Sequence, residues 1–399
     1  MRLHAPVEWR SYVAVFCGVS ALVVGAITTL NYRVDPYLIH QWNTPKIQQL
    51  RPEREQLSPW GKTYAVAMFR PSVLYAGNSR TELGLPVDTE LFAGRNVFNG
   101  ALSGASLADA ISMVRHASEV GRLDTVVWGI DAPSFSVEPG NTDFVDELVA
   151  SDRFYLWRRE FINIKRALAM DMTKDSVSLL RGSFGQLCRS NLAFHGQRDE
   201  TCMRGRLAGH GGTAGAIVPR TREYLRGSGP QPQALRAMGS SVARLCSAGT
   251  RVRLYINPTH AMTADAMYWA GKWQAMEAWQ ADLTNIGERY RQSGCDVRIH
   301  DFSGFNSITS ETIPQVSGIP EMAYYWETSH YRATVGRLIL ARIFGKADGV
   351  PDDFGTELRP AMLSDYQAEQ RTKRSQYHMK HPEETSMVFD IVFGIGVRP

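Results

Sequence analysis

The stretch Val73-Leu-Tyr-Ala-Gly-Asn-Ser-Arg-Thr-Glu-Leu-Gly84 runs from four apolar residues into a glycine turn and then presents a serine. A short apolar run bounded by glycine reads as a buried strand, Val73 to Ala76, and the residues after Ser79 read as a helix or turn. At such a junction backbone N–H groups and the helix dipole favour developing negative charge. Downstream, Asn96 to Phe98 reads as a strand and Leu107 to Val120 as a helix with Ile111, Val114 and Ala117 on one face. A further strand lies at Thr125 to Ile130. Strands alternating with helices at this spacing predict a parallel sheet with helices on both faces.

The rhythm breaks and then returns. Arg153 to Met170 reads as helical, whereas Gly205 to Gly229 is glycine-rich and reads as a long surface excursion, either a lid or a plain insertion. Within it, His210-Gly-Gly-Thr-Ala-Gly215 lacks both the G-K-[ST] ending and the preceding strand of a phosphate loop. Helix Gln233 to Leu245, strand Val252 to Asn257, helix Asp265 to Gln292, strand Asp296 to Asp301 and helix Arg332 to Phe344 then complete the α/β pattern. Segments on both sides of the insertion thus belong to one sheet, and their loops meet at its C-terminal edge, where open α/β sheets bind ligands.

Of 399 residues, 44% are hydrophobic and 21% charged, and a net charge of +4 leaves no basic patch. That composition argues for a globular chain and against nucleic acid as a partner. Tyr12 to Leu30 carries no charge and is long enough to cross a bilayer. It reads as an uncleaved membrane anchor; the rival is a signal peptide cut near Val24-Gly-Ala26. Either way the bulk of the chain is exported. The expected organisation is a cytoplasmic stub (1–11), an anchor (12–30), a proline-bearing connector (31–61), an α/β domain (62–345) with an insertion at about 151–230, and an unassigned tail (346–399). Outside the anchor, Cys188, Cys202, Cys246 and Cys295 are either reduced or joined in two bridges, as an oxidising compartment permits. Cys246 and Cys295 each precede a predicted strand, so neighbouring parallel strands could bring them together. No cysteine spacing suits zinc, and no cofactor is expected.

A serine hydroxyl becomes a nucleophile only with a base, an acid that orients the base, and donors for the oxyanion. Tyr325-Trp-Glu-Thr-Ser-His-Tyr331 supplies the first two: Glu327 and His330 are three apart, so one turn can aim the carboxylate at one ring nitrogen and leave the other for Ser79.

Gly77-Asn-Ser-Arg80, then Asn99-Gly-Ala-Leu-Ser-Gly104, then Glu327-x-x-His330 resembles the block order of the SGNH/GDSL hydrolase superfamily. The anchor, Asp35-Pro-Tyr37 and the late Ser-His-Tyr resemble its membrane-anchored branch, which includes polysaccharide O-acetylation proteins. The resemblance covers roughly Val73 to Phe344 and leaves the insertion unmatched. It implies a three-layer sandwich on a mostly parallel sheet, with Ser79 as nucleophile, His330 as base, Glu327 in place of the usual aspartate, and the Ser79 and Gly100 amides as oxyanion donors. Asn99 opens the second block and counts with the substrate-binding residues. The third block normally supplies an asparagine donor, but here it ends in Asp131, an acceptor when ionised that suits a pocket floor; Asn257 is the candidate substitute.

These readings predict a membrane-anchored, extracytoplasmic esterase or acyltransferase for O-acyl groups, most plausibly acetyl, on a cell-surface polysaccharide, with a multi-pass membrane partner supplying the acyl group if it transfers. The rivals are a non-catalytic glycan-binding or assembly module of a polysaccharide export machinery and a lipid or thioester hydrolase. His260 reads as a loop cap, His116 as a helix-surface residue and His195 as a loop residue. Trp269, Trp273 and Trp279 form either a sugar-stacking stripe or, by the commoner arrangement, core packing.

Overall fold

A computed structural model describes residues 5–40, 45–50, 59–140, 144–184, 195–227, 229–314, 321–346 and 348–394. In chain order its elements are helices α1 (Ala5–Val34), α2 (Pro45–Gln48) and α3 (Pro59–Phe69), strand β1 (Val73–Ala76), α4 (Ser79–Gly84), β2 (Val97–Asn99), α5 (Leu107–Val120) and β3 (Thr125–Ile130). Next come α6 (Tyr155–Ala167), α7 (Met170–Leu180), α8 (Thr201–Gly209), α9 (Thr213–Arg226), α10 (Pro232–Ser247), β4 (Arg251–Ile256), α11 (Ala261–Trp269), α12 (Trp273–Gln292) and β5 (Val297–Asp301). The chain continues with β6 (Tyr325–Glu327), β7 (His330–Tyr331), α13 (Ala333–Ile343), β8 (Thr356–Glu357), α14 (Pro360–Lys380) and α15 (Pro382–Phe393).

The sheet runs β2-β1-β3-β4-β5-β8. Its first five strands are parallel, but β8 pairs antiparallel with β5, so the expected mostly parallel sheet is a mixed one. Because side chains alternate along a strand, Leu74, Ala76, Val126 and Trp128 enter one core with α5, α10 and α12, while Val73, Tyr75 and Val127 enter a second with α11, α13 and α15. Strand order reverses at β1, which sends the chain first to β2 and then back to β3. The crevice at that reversal is where such sheets hold ligands.

Several expectations change in detail. Gly205 to Gly229 is not an irregular excursion: it forms α8 and α9, which turn at Gly211 and Gly212 and bury Ile217, Thr221 and Tyr224 on one helical face. The single helix expected over Asp265 to Gln292 is broken at Gly271, whose φ of +72° turns α11 into α12. Trp279 packs on Phe135 in the core and Trp269 on Phe389 of α15, so the three tryptophans form no stripe. The tail supplies β8, α14 and α15, and its closing apolar run buries Val388 and Ile391 in the second core. Cys246 and Cys295 are bonded, as their places before β4 and β5 suggest, with Cα atoms 5.6 Å apart. Cys188 lies outside the described residues, as does the side chain of Cys202.

His116 is fully buried on α5 rather than on a helix surface. Its Nε2 donates to the Thr63 carbonyl and its Nδ1 accepts from the Ala150 N–H, which fixes the neutral ring. Burial pushes its pKa down to about 4. An unfolded chain protonates this ring near pH 6.5 while the fold resists until about pH 4, so its contribution is whole above the first value and is lost across that window. Acidification from pH 7 to 4 therefore removes about 3 kcal/mol through this residue. Denaturant titrations at the two pH values should show a smaller loss in His116→Gln.

Candidate active site

Gly77 makes the turn out of β1 with φ +143°, and a Cβ there would lie 2.6 Å from Thr81 Oγ1 and 2.8 Å from the Gly129 carbonyl. Only glycine fits. Asn78 then caps α4, its side-chain oxygen accepting from the Arg80 N–H at 3.1 Å, which places Ser79 as the first helical residue. On the other side of the crevice β6 and β7 form a two-stranded ribbon in which Glu327 and His330 are opposed.

These two turns meet. Ser79 Oγ lies 2.8 Å from His330 Nε2, across 251 positions of sequence, and His330 Nδ1 makes a short hydrogen bond with Glu327. The Glu327 carboxylate is fully buried and also accepts from the Ser329 N–H at 2.7 Å. Burial alone would raise its pKa, but His330, the Ser329 N–H and Arg220 outweigh that and hold it below the ordinary carboxylate range. An ionised Glu327 makes Nδ1 the donor and leaves the Nε2 lone pair to accept from the Ser79 hydroxyl.

Arg80 ties the two turns together. Its guanidinium donates to the Ser329 carbonyl at 3.0 Å and to Asp131 at 3.0 Å, and it stacks over the Tyr224 ring. Asp131 also accepts from Asn78 Nδ2 at 2.6 Å and Ser134 Oγ at 2.8 Å. It works here as an acceptor that fixes the turn carrying Ser79, in keeping with a carboxylate on the pocket floor.

Three expected site residues turn inward. The Gly100 N–H is taken by the Tyr75 carbonyl at 2.9 Å, so it extends the sheet and is not free to meet an oxyanion. Asn99 is buried and spends its amide on the Thr81 and Leu85 carbonyls and on the Ala101 N–H. Asn257 donates to the Ile130 carbonyl and accepts from the Tyr331 hydroxyl, binding β4 to β3. The chain instead brings Gly104, with φ +76°, to the wall of the crevice. No protein acceptor among the described residues takes the Gly104 or the Ser79 N–H.

The cavity over Ser79 and His330 has a volume of about 580 Å³. Ser103, Ser106, Ser134 and Ser136 line it together with Arg206, Arg220, Glu138 and Glu223. Arg220, Glu223 and Tyr224 come from α9, a helix hidden in the sequence by Gly215, Pro219 and the glycines before it; the spacing of Ile217, Thr221 and Tyr224 is the signal that reveals it. His260 caps α11, accepting from the Met262 N–H, and stands outside the cavity lining. Among the described residues no three His, Cys, Asp or Glu side chains group as a metal site. No protein-family model matches this sequence, and it matches no curated protein.

Proposed function

We propose that this chain is a membrane-anchored serine esterase or O-acyltransferase of the SGNH type, acting outside the cytoplasm on O-acyl groups, most simply acetyl, of a cell-surface polysaccharide. The observation that carries this reading is the chain of contacts from Ser79 Oγ through His330 to Glu327 at the open edge of the sheet. Nε2 takes the Ser79 proton as Oγ attacks the acyl carbonyl, and Glu327 stabilises the imidazolium. The proton then passes to the departing sugar oxygen, leaving the acyl group on Ser79. Water or a second sugar hydroxyl, deprotonated by His330, releases it and restores the serine. The Ser79 and Gly104 N–H groups are the donors available to the oxyanion, in place of Gly100.

A crevice walled by serines and charged residues suits a polyhydroxylated ligand with a small acyl group better than a long lipid chain. Export is supported by the Cys246–Cys295 bridge and by α1, the one described helix long and apolar enough to span a membrane. If the chain transfers rather than hydrolyses, a multi-pass membrane protein would bring the acyl group to this edge.

A fluorophosphonate probe and an ester panel test the reading on the full-length protein. Ser79 is expected to be labelled, with 4-nitrophenyl acetate and acetylated glycans turned over in preference to the octanoate ester. Octanoate preference would move the assignment to a lipid hydrolase. An unlabelled serine with no turnover of any ester would leave a glycan-binding module.

A further inference from the structure

Helix α6 is amphipathic in the wrong sense for a protein surface. Its polar Arg159 and Asn163 point inward, where Arg159 stacks 4.2 Å over the Tyr64 ring and Asn163 accepts from the Tyr64 hydroxyl. Ile162 packs inward with Ile39, Tyr64 and Met172, but most apolar side chains of α6 point out: Trp157 is 78% exposed, Phe161 61% and Ile164 60%, and Met170 just beyond is 66% exposed. Positions 157, 161, 164 and 168 fall on a single helical face. Soluble proteins seldom leave a contiguous patch of this kind in water.

Its neighbour identifies what covers it. The uncharged run of α1 ends at Leu30, and its 19 residues span roughly 28 Å, the depth of a hydrocarbon core. The next residue, Asn31, is buried and donates to the Ala167 carbonyl at the end of α6 and to Thr173 of α7, while accepting from Ser176. These bonds hold the C-terminal end of α6 and the start of α7 beside the point where the uncharged run of α1 ends. Arg153, Lys165 and Arg166 flank the exposed face of α6, with the Lys165 ammonium 5.1 Å from the Phe161 ring, the pattern of a helix lying in an interface of anionic headgroups.

We infer that α6 lies flat in the headgroup layer of the same bilayer that α1 crosses, with Trp157, Phe161, Ile164 and Leu168 among the upper acyl chains. The domain is then held at two points, a span and an interfacial helix, and cannot swing freely on its tether. This rests on reading α1 as a membrane span but not on the chemistry at Ser79.

The test is lipid photolabelling of the full-length chain in phosphatidylcholine–phosphatidylglycerol vesicles, using a phospholipid with a diazirine on its acyl chain and mapping adducts by peptide mass spectrometry. Adducts are expected on α6 at Trp157 and Phe161 as well as on α1. In Trp157→Glu/Phe161→Glu those on α6 fall roughly tenfold, while α1 labelling and the thermal midpoint hold, since both side chains are exposed in the fold. Adducts on α1 with none on α6, or an α6 that cross-links to a protein and takes no lipid, would overturn the inference. Adducts on neither helix would remove the membrane reading of α1 along with it.

Discussion

Ser79→Ala is expected to cut ester turnover on the order of 10,000-fold, and His330→Ala to do the same. The two act as a unit through the 2.8 Å contact between Oγ and Nε2, so the double variant should be no slower than either single one. Independent losses that multiply in the double variant would mean the two side chains do not share a proton. Glu327→Gln should cost nearly as much for a different reason. The amide has the carboxylate's shape, but its nitrogen can only donate. An amide nitrogen turned toward His330 forces Nδ1 to accept and puts the proton on Nε2, where the ring can no longer take one from Ser79. The Ser329 N–H retains an oxygen to bond in that variant, so the ribbon of β6 and β7 should keep its shape. Steady-state rates on 4-nitrophenyl acetate, with circular dichroism as the control for folding, separate lost chemistry from lost structure.

The parts of this arrangement that were legible in the sequence are those in which local chemistry has one structural outcome. An apolar run ending in glycine, as at Val73 to Gly77, makes a strand that must turn. Glu327 and His330, three apart, can meet across a single tight turn whatever surrounds them. What was hidden depends on partners distant in the chain. Whether the Gly100 or the Gly104 N–H faces the crevice is decided by Tyr75, whose carbonyl captures the first; nothing in Asn99-Gly-Ala-Leu-Ser-Gly104 announces that. Arg80 bonds to Ser329, 249 positions away, and so its part in holding both turns could not be read from the G-N-S-R motif alone. In α8 and α9 tertiary packing overrides the low helix propensity of glycine, and β8 is too short to show a period. The buried His116 differs from an exposed one only through Thr63 and Ala150, which its own helix does not contain.

Lys62→Met should destabilise the fold by about 3 kcal/mol, although methionine fills nearly the same volume. The Lys62 ammonium is wholly buried beneath the crevice, where it donates to Glu82 at 2.7 Å and to the Ala101 carbonyl at 2.6 Å. Burial lowers the pKa of Lys62 and would raise that of Glu82, but Arg198 and Lys62 together hold Glu82 below the ordinary range. The two side chains form a buried ion pair, so deleting one leaves the other buried and short of a partner. Arg198, 3.5 Å from Glu82, offsets part of that loss in Lys62→Met, whereas Lys62 has no second carboxylate within ion-pair reach among the described residues. Glu82→Leu should therefore cost more than Lys62→Met. Lys62→Met/Glu82→Leu removes the unpaired ammonium that Glu82→Leu alone leaves, but it still strands Arg198 without its carboxylate, so it should recover only part of the Glu82→Leu loss in urea denaturation. It should not recover activity. Glu82 also accepts from Ser103 Oγ at 2.6 Å, so the pair holds both ends of the segment that leads to Gly104. A double variant that folds well yet turns over acetate esters slowly would assign Lys62 and Glu82 to positioning that loop beside Ser79; one with full activity would reduce them to packing.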